Sequence, residues 1–170
     1  MAEVSNSNLY DINAGILNAQ DACVVIVRTE WNAAIIDELE AGCRRILSAH
    51  QTASVTTLTV PGAFEIPFGI KAYWESAKYW NHRPCAFIAL ACVIQGDTPH
   101  FDYVCRAVTD GVVQLNLTLP VPTIFGVLTV LNDQQARDRL GGSHGHKGEE
   151  AALSALKMIA LQQSMRVNHP

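Results

Sequence analysis

Four short apolar runs punctuate the chain, and stretches of helical periodicity lie between them. Residues 22–28 (ACVVIVR), 55–60 (VTTLTV), 85–93 (CAFIALACV) and 122–130 (PTIFGVLTV) are short and rich in branched side chains. Runs of that length and composition predict buried strands. Residues 35–50 place Ile35, Ile36, Leu39, Cys43, Ile46 and Leu47 at helical spacing. A second helix is predicted from about residue 65 or 67 to 77, with Pro67 tolerated in its first turn because the missing N–H has no partner there. Residues 101–117 predict a third, 133–140 a short fourth, and 147–166 a long last one, after a glycine-rich break at 141–145. The first twenty residues read as a loosely ordered arm before a single domain from 21 to 170.

Strands and helices alternate, as β-α-β-α-β-α-β-α-α. That order predicts an α/β fold: a four-stranded parallel sheet in a three-layer α/β/α sandwich of the flavodoxin-like kind, with right-handed crossovers. Ligands of such sheets bind beyond the carboxyl ends of the strands. Three segments fall on that edge. They are Thr29-Glu30-Trp31-Asn32, Pro61-Gly62-Ala63-Phe64-Glu65, and Ile94-Gln95-Gly96-Asp97-Thr98-Pro99-His100.

Composition narrows the function classes. The chain has 170 residues, 49% hydrophobic and 16% charged, with a net charge of −4. No basic cluster stands out, so neither nucleic acid nor a membrane surface is an expected partner. No apolar stretch is long enough to span a bilayer, and residues 1–20 do not read as a signal peptide. A cytoplasmic location is expected. The five cysteines form no C-x-x-C pair and read as reduced, mostly buried residues.

His100 is the first candidate for proton transfer, since its ordinary pKa lies near neutrality. A capping or surface histidine fits the same position. Asp97 and Thr98 precede a helix start and suit either an anion cradle or an N-cap. Trp31 can stack on a flat heterocycle or close the edge of the core. Glu65 can accept from a polyol or simply begin a helix. The glycine-rich stretch at 141–148 follows a helix and lacks a phosphate-loop ending. His144 and His146 lack companions at ligand spacing, and no metal is expected.

Together these segments resemble the 6,7-dimethyl-8-ribityllumazine synthase family. The resemblance rests on Trp31-Asn32, PGAFEIP at 61–67, VIQGDTPHF at 93–101, FGVLT at 125–129, Gln135-Ala136 with Arg139, and Lys147-Gly148. It runs from about residue 22 to 162. It implies condensation of 5-amino-6-(D-ribitylamino)uracil with 3,4-dihydroxy-2-butanone 4-phosphate, the penultimate step of riboflavin biosynthesis, without a cofactor. By position, Trp31 would stack on the uracil, and Ala63, Phe64 and Glu65 would line the ribityl site. Cys92, Val93 and Ile94 would offer backbone groups to the pyrimidine. Phe125 would enter from a neighbouring subunit, and Lys147 would lie near the site with Glu150 one turn later. Asp97, Thr98 and Arg139 would hold the phosphate, and His100 would move protons. The resemblance also implies a homopentamer, alone, stacked in a decamer or closed into an icosahedral shell, with riboflavin synthase a candidate partner. Four positions depart from the family: Gln95 stands where many members have arginine, Trp31 where phenylalanine is commoner, Ala91-Cys92 in place of glycine and a small residue, and His144-Gly145-His146 in place of small or polar residues. Gln95 leaves open an alternative, a flavin-binding or shell-forming member without activity.

Overall fold

A computed structural model describes residues 8–10 and 19–168. Most of the expected arm therefore lies outside the described residues. The part within them includes a single 3-10 turn, Asn8–Tyr10, where Lys157 Nζ donates to the Asn8 carbonyl at 2.9 Å.

The alternating order holds. The strands are β1 (Cys23–Thr29), β2 (Ser54–Val60), β3 (Ala86–Ile94) and β4 (Thr123–Val130). The helices are α1 (Ala33–Ala49), α2 (Ile66–Ser76), α3 (His100–Thr118), α4 (Asp133–Arg137) and α5 (Lys147–Asn168). The strands form one parallel sheet in the order β2-β1-β3-β4. The chain moves from β1 outward to β2, then crosses back to β3. The order therefore reverses between β1 and β3, where such sheets open a crevice.

Successive strand residues point to opposite faces, so each strand feeds two cores. Val24, Ile26, Ile88 and Leu90 face one side with Ile36, Leu39 and Leu47 of α1 and Ala152, Ala155 and Leu156 of α5. Val25, Val27, Phe87 and Ala89 face the other with Ile66 and Ile70 of α2 and Val108, Val112 and Leu115 of α3. β3 is buried along seven of its nine residues, as its unbroken apolar run predicts. β2 differs. It lies at the sheet edge, and only Val60 is fully buried. Its threonines Thr56, Thr57 and Thr59 suit that half-solvated position.

Two expectations near the C-terminus need correction. The fourth helix stops at Arg137, not at residue 140. The following glycine-rich stretch is a small antiparallel hairpin, β5 (Leu140–Gly142) with β6 (Gly145–His146), and not a plain loop. Gly141 and Gly145 have φ of 105° and 72°. Those backbone angles are open to glycine and strained for other residues. They reverse the chain within a few residues and deliver α5 against α1.

Candidate functional site

The crevice at the sheet reversal is a cleft of about 540 Å³, within the range of small-molecule sites. Three loops build it, each from the carboxyl end of a strand. β1 runs out at Thr29, whose buried hydroxyl donates to the Trp31 carbonyl at 3.4 Å. Trp31 then projects outward and is 73% exposed. The ring lies open to solvent at the cleft mouth.

Asn32 follows in the left-handed region, at φ 58° and ψ 43°. Asparagine tolerates that conformation better than other non-glycine residues. Its carbonyl accepts from the Ile35 and Ile36 amides at 2.9 and 3.1 Å, which starts α1. Its side chain turns away from the helix, and Nδ2 donates to the Cys92 carbonyl at 2.8 Å.

After β2, Pro61-Gly62 ends the strand and Ala63–Glu65 forms a 3-10 turn. A Cβ on Gly62 would sit 3.0 Å from Glu65 Oε2 and 3.6 Å from Trp31 Cδ1. The carboxylate and the indole thus converge over a bare stretch of backbone. Phe64 is 61% exposed beside them. After β3, Gln95 still donates its amide to the Val130 carbonyl at 2.9 Å. The next residues are exposed and lead to His100, the first residue of α3.

The cleft is lined by Trp31, Ala63, Phe64, Glu65, Cys92, Val93, Ile94 and His100 among the expected site residues. Thr29, Asn32, Gly62 and Val104 also line it. Sequence reasoning gave Asn32 no role of its own. The signal was an Asx residue directly before a helical pattern, which reads as an ordinary cap, but its side chain makes no cap bond.

Asp97 and Thr98 do not serve as caps either. The residue preceding α3 is Pro99, and no side chain caps that end. Both remain exposed in the loop that carries His100. Burial, reinforced by the charge of Asp133, pushes the Cys92 thiol up to about 11, so it stays protonated in the cleft wall.

Phe125, Lys147, Asp97, Thr98 and Arg139 do not line this cleft. Phe125 is on the edge strand β4, 43% exposed. Arg139 Nη1 donates to the Gln135 carbonyl at 2.6 Å, while its buried Nε has no hydrogen-bond partner. Lys147 Nζ bridges both carboxylate oxygens of Glu150 at 2.8 Å.

The profile of the family described as 6,7-dimethyl-8-ribityllumazine synthase matches residues 21–163. A protein of that name from Parabacteroides distasonis is 42% identical over 91% of this chain and 94% of its own length. One from Cytophaga hutchinsonii is 43% identical over 92% and 96%. One from Bdellovibrio bacteriovorus is 44% identical over 84% and 76%.

Proposed function

The chain belongs to the 6,7-dimethyl-8-ribityllumazine synthase family, and from that premise we propose how its cleft carries out the riboflavin-pathway condensation. The chain is an enzyme that joins 5-amino-6-(D-ribitylamino)uracil to 3,4-dihydroxy-2-butanone 4-phosphate, releasing phosphate and water. The observation that carries the residue assignments is the convergence of Trp31, Glu65, the end of β3 and His100 on one cleft.

The uracil ring stacks on the Trp31 indole, which adds an aromatic contact to a surface otherwise left in water. The end of β3, from Cys92 to Ile94, runs beside its polar edge. The ribityl chain runs over Gly62, where Ala63 and Phe64 shape the groove and Glu65 accepts from its hydroxyls. Charge-assisted bonds of that kind are about twice as strong as neutral ones.

The substrate's free amine attacks the ketone carbonyl, giving a carbinolamine that loses water to an imine. Removal of a proton beside the imine expels the phosphate. The resulting enol becomes a ketone, which the second nitrogen attacks, and loss of a second water closes the ring. Every step moves a proton between carbon, nitrogen and oxygen, and His100 stands at the cleft mouth to do so as general acid or base. Holding both substrates in one orientation lowers the entropic barrier of joining them.

Asp97, Thr98 and Arg139 form the phosphate end. The Arg139 guanidinium offers paired N–H groups that match a phosphate better than an ammonium does. Phe125 and Lys147, like Arg139, lie outside the cleft of their own chain. We assign their contribution to the cleft of an adjacent copy, in a cyclic homopentamer working in the cytoplasm. A head-to-tail contact that closes into a ring is a normal route to such sharing.

The test is direct. Purified protein is mixed with both substrates, and the lumazine is followed by its absorbance. Turnover above the uncatalysed background is expected. Tight binding of the lumazine or riboflavin without turnover would overturn the catalytic assignment. Sedimentation of the active species as a monomer would overturn the shared site.

A further inference from the structure

The amide of Asn32 ties the loop after β1 to the end of strand β3. It reaches from the start of α1 to the carbonyl of Cys92 on β3. The β1–β3 ladder ends at the pair Arg28 and Leu90. Beyond that pair, β3 continues for four more residues without β1 beside it.

Strand backbone groups alternate in direction. Gln95 donates toward β4, to Val130, so Val93 faces β4 as well, and Cys92 and Ile94 face the side that β1 has vacated. Asn32 takes the Cys92 carbonyl there. That leaves the N–H and C=O of Ile94 as the donor and acceptor pair turned toward the cleft. A neighbouring N–H and C=O on one residue match the alternating donor and acceptor edge of a pyrimidinedione.

We propose that Asn32 is a positioning residue for the pyrimidine substrate, holding the end of β3 so that Ile94 presents its backbone pair opposite Trp31. The inference rests on the enzymatic reading above. Asn32 extends the ladder by one side-chain bond past the point where β1 leaves. It also ties the backbone next to Trp31 to the same strand, so the stacking ring and the hydrogen-bonding edge are held at a fixed separation. The left-handed backbone is what allows this: α1 begins at residue 33, yet the side chain of residue 32 points back across the sheet.

The Asn32→Asp and Asn32→Gly variants test the assignment. The first keeps the shape and replaces the donor with a carboxylate oxygen facing a carbonyl. The second keeps the left-handed backbone and removes the side chain. In both, the KM for the ribitylaminouracil is expected to rise about tenfold, the loss of roughly one well-made hydrogen bond. The KM for the butanone phosphate and the melting temperature should stay near those of the parent. Equilibrium binding of the lumazine product, read by its own fluorescence, should weaken in parallel.

An active parent with both variants at parental KM would overturn the inference alone. So would an equal rise of both KM values with a fall in kcat and melting temperature, because it would mark Asn32 as a fold residue only. A parent that neither turns over nor binds the lumazine would bring down the enzymatic reading and this inference together.

Discussion

The imidazole of His146 packs directly on the backbone of α1 at Gly42, closer than any Cβ would permit. The ring is buried, with Nε2 3.4 Å from Glu38 Oε1 and Nδ1 3.4 Å from the Glu149 amide. One turn along, Gly148 comes equally close to the Leu39 carbonyl. Two glycines on facing helices thus set the separation of α1 and α5, and through it the placement of the β5–β6 hairpin.

Gly42→Ala should therefore destabilise the fold by about 1–3 kcal/mol, the usual cost of overpacking a tight contact. That sign is opposite to the gain that glycine to alanine normally gives inside a helix. Urea denaturation of the variant and the parent checks it. Equal midpoints would show that the ring moves aside freely.

Glu40 gives a pH dependence with a definite sign. Burial raises the carboxyl, but hydrogen bonds from Thr57, Arg28 and Arg44 outweigh it and hold the group below its ordinary value. A carboxyl lowered on folding contributes stability above its unfolded pKa and loses it as pH falls through the folded one. The Glu40→Gln variant should be less stable than the parent at neutral pH and converge with it in acid, below the ordinary carboxylate range. Melting temperatures measured from pH 7 down to 3 should show the two curves closing. A constant gap would contradict the assignment.

The His100→Ala variant should lose on the order of 100-fold in kcat, the lower end of what a positioned acid–base group contributes. Orientation of the substrates survives the change, so binding of the lumazine product should be nearly unaltered. Single-turnover rates beside product binding separate the two. A parental kcat would remove His100 from the mechanism.

For Arg139→Ala the loss should fall on one substrate. The KM for the butanone phosphate is expected to rise tenfold or more, as follows from losing a charge-assisted contact of about 1.5–3 kcal/mol. Arg139→Lys should restore only part of it, because an ammonium cannot make the paired contact. Steady-state kinetics with each substrate varied in turn decides. A change confined to the pyrimidine KM would place the guanidinium at the wrong end of the site.

Much of this was legible in the sequence because the signals were local. The β3 run from Ala86 to Ile94 is apolar without interruption, and strand length and burial follow from that alone. The turn formers after β1, β2 and β3 marked the edge where Trp31, Glu65 and His100 gather. The hairpin at residues 140–146 escaped because two left-handed glycines look the same in sequence whether they flank strands or a loop. Asn32 escaped for a different reason. Its partner is sixty residues away, and nothing local distinguishes an asparagine that caps a helix from one that fastens a strand. Phe125, Arg139 and Lys147 follow from resemblance alone, and the cleft that His100 lines does not include them.

The separation of Arg139 from the cleft that holds His100 has a genetic corollary. If each working site draws its histidine from one chain and its arginine from the next, damage at the two positions is not cumulative along a single polypeptide. A cell making both the His100→Ala and the Arg139→Ala chains would assemble mixed rings, in which roughly a quarter of the subunit boundaries regain both side chains. Two alleles, each impaired alone, would then partly complement each other, and the boundary between chains, more than the chain itself, would be the unit on which selection acts.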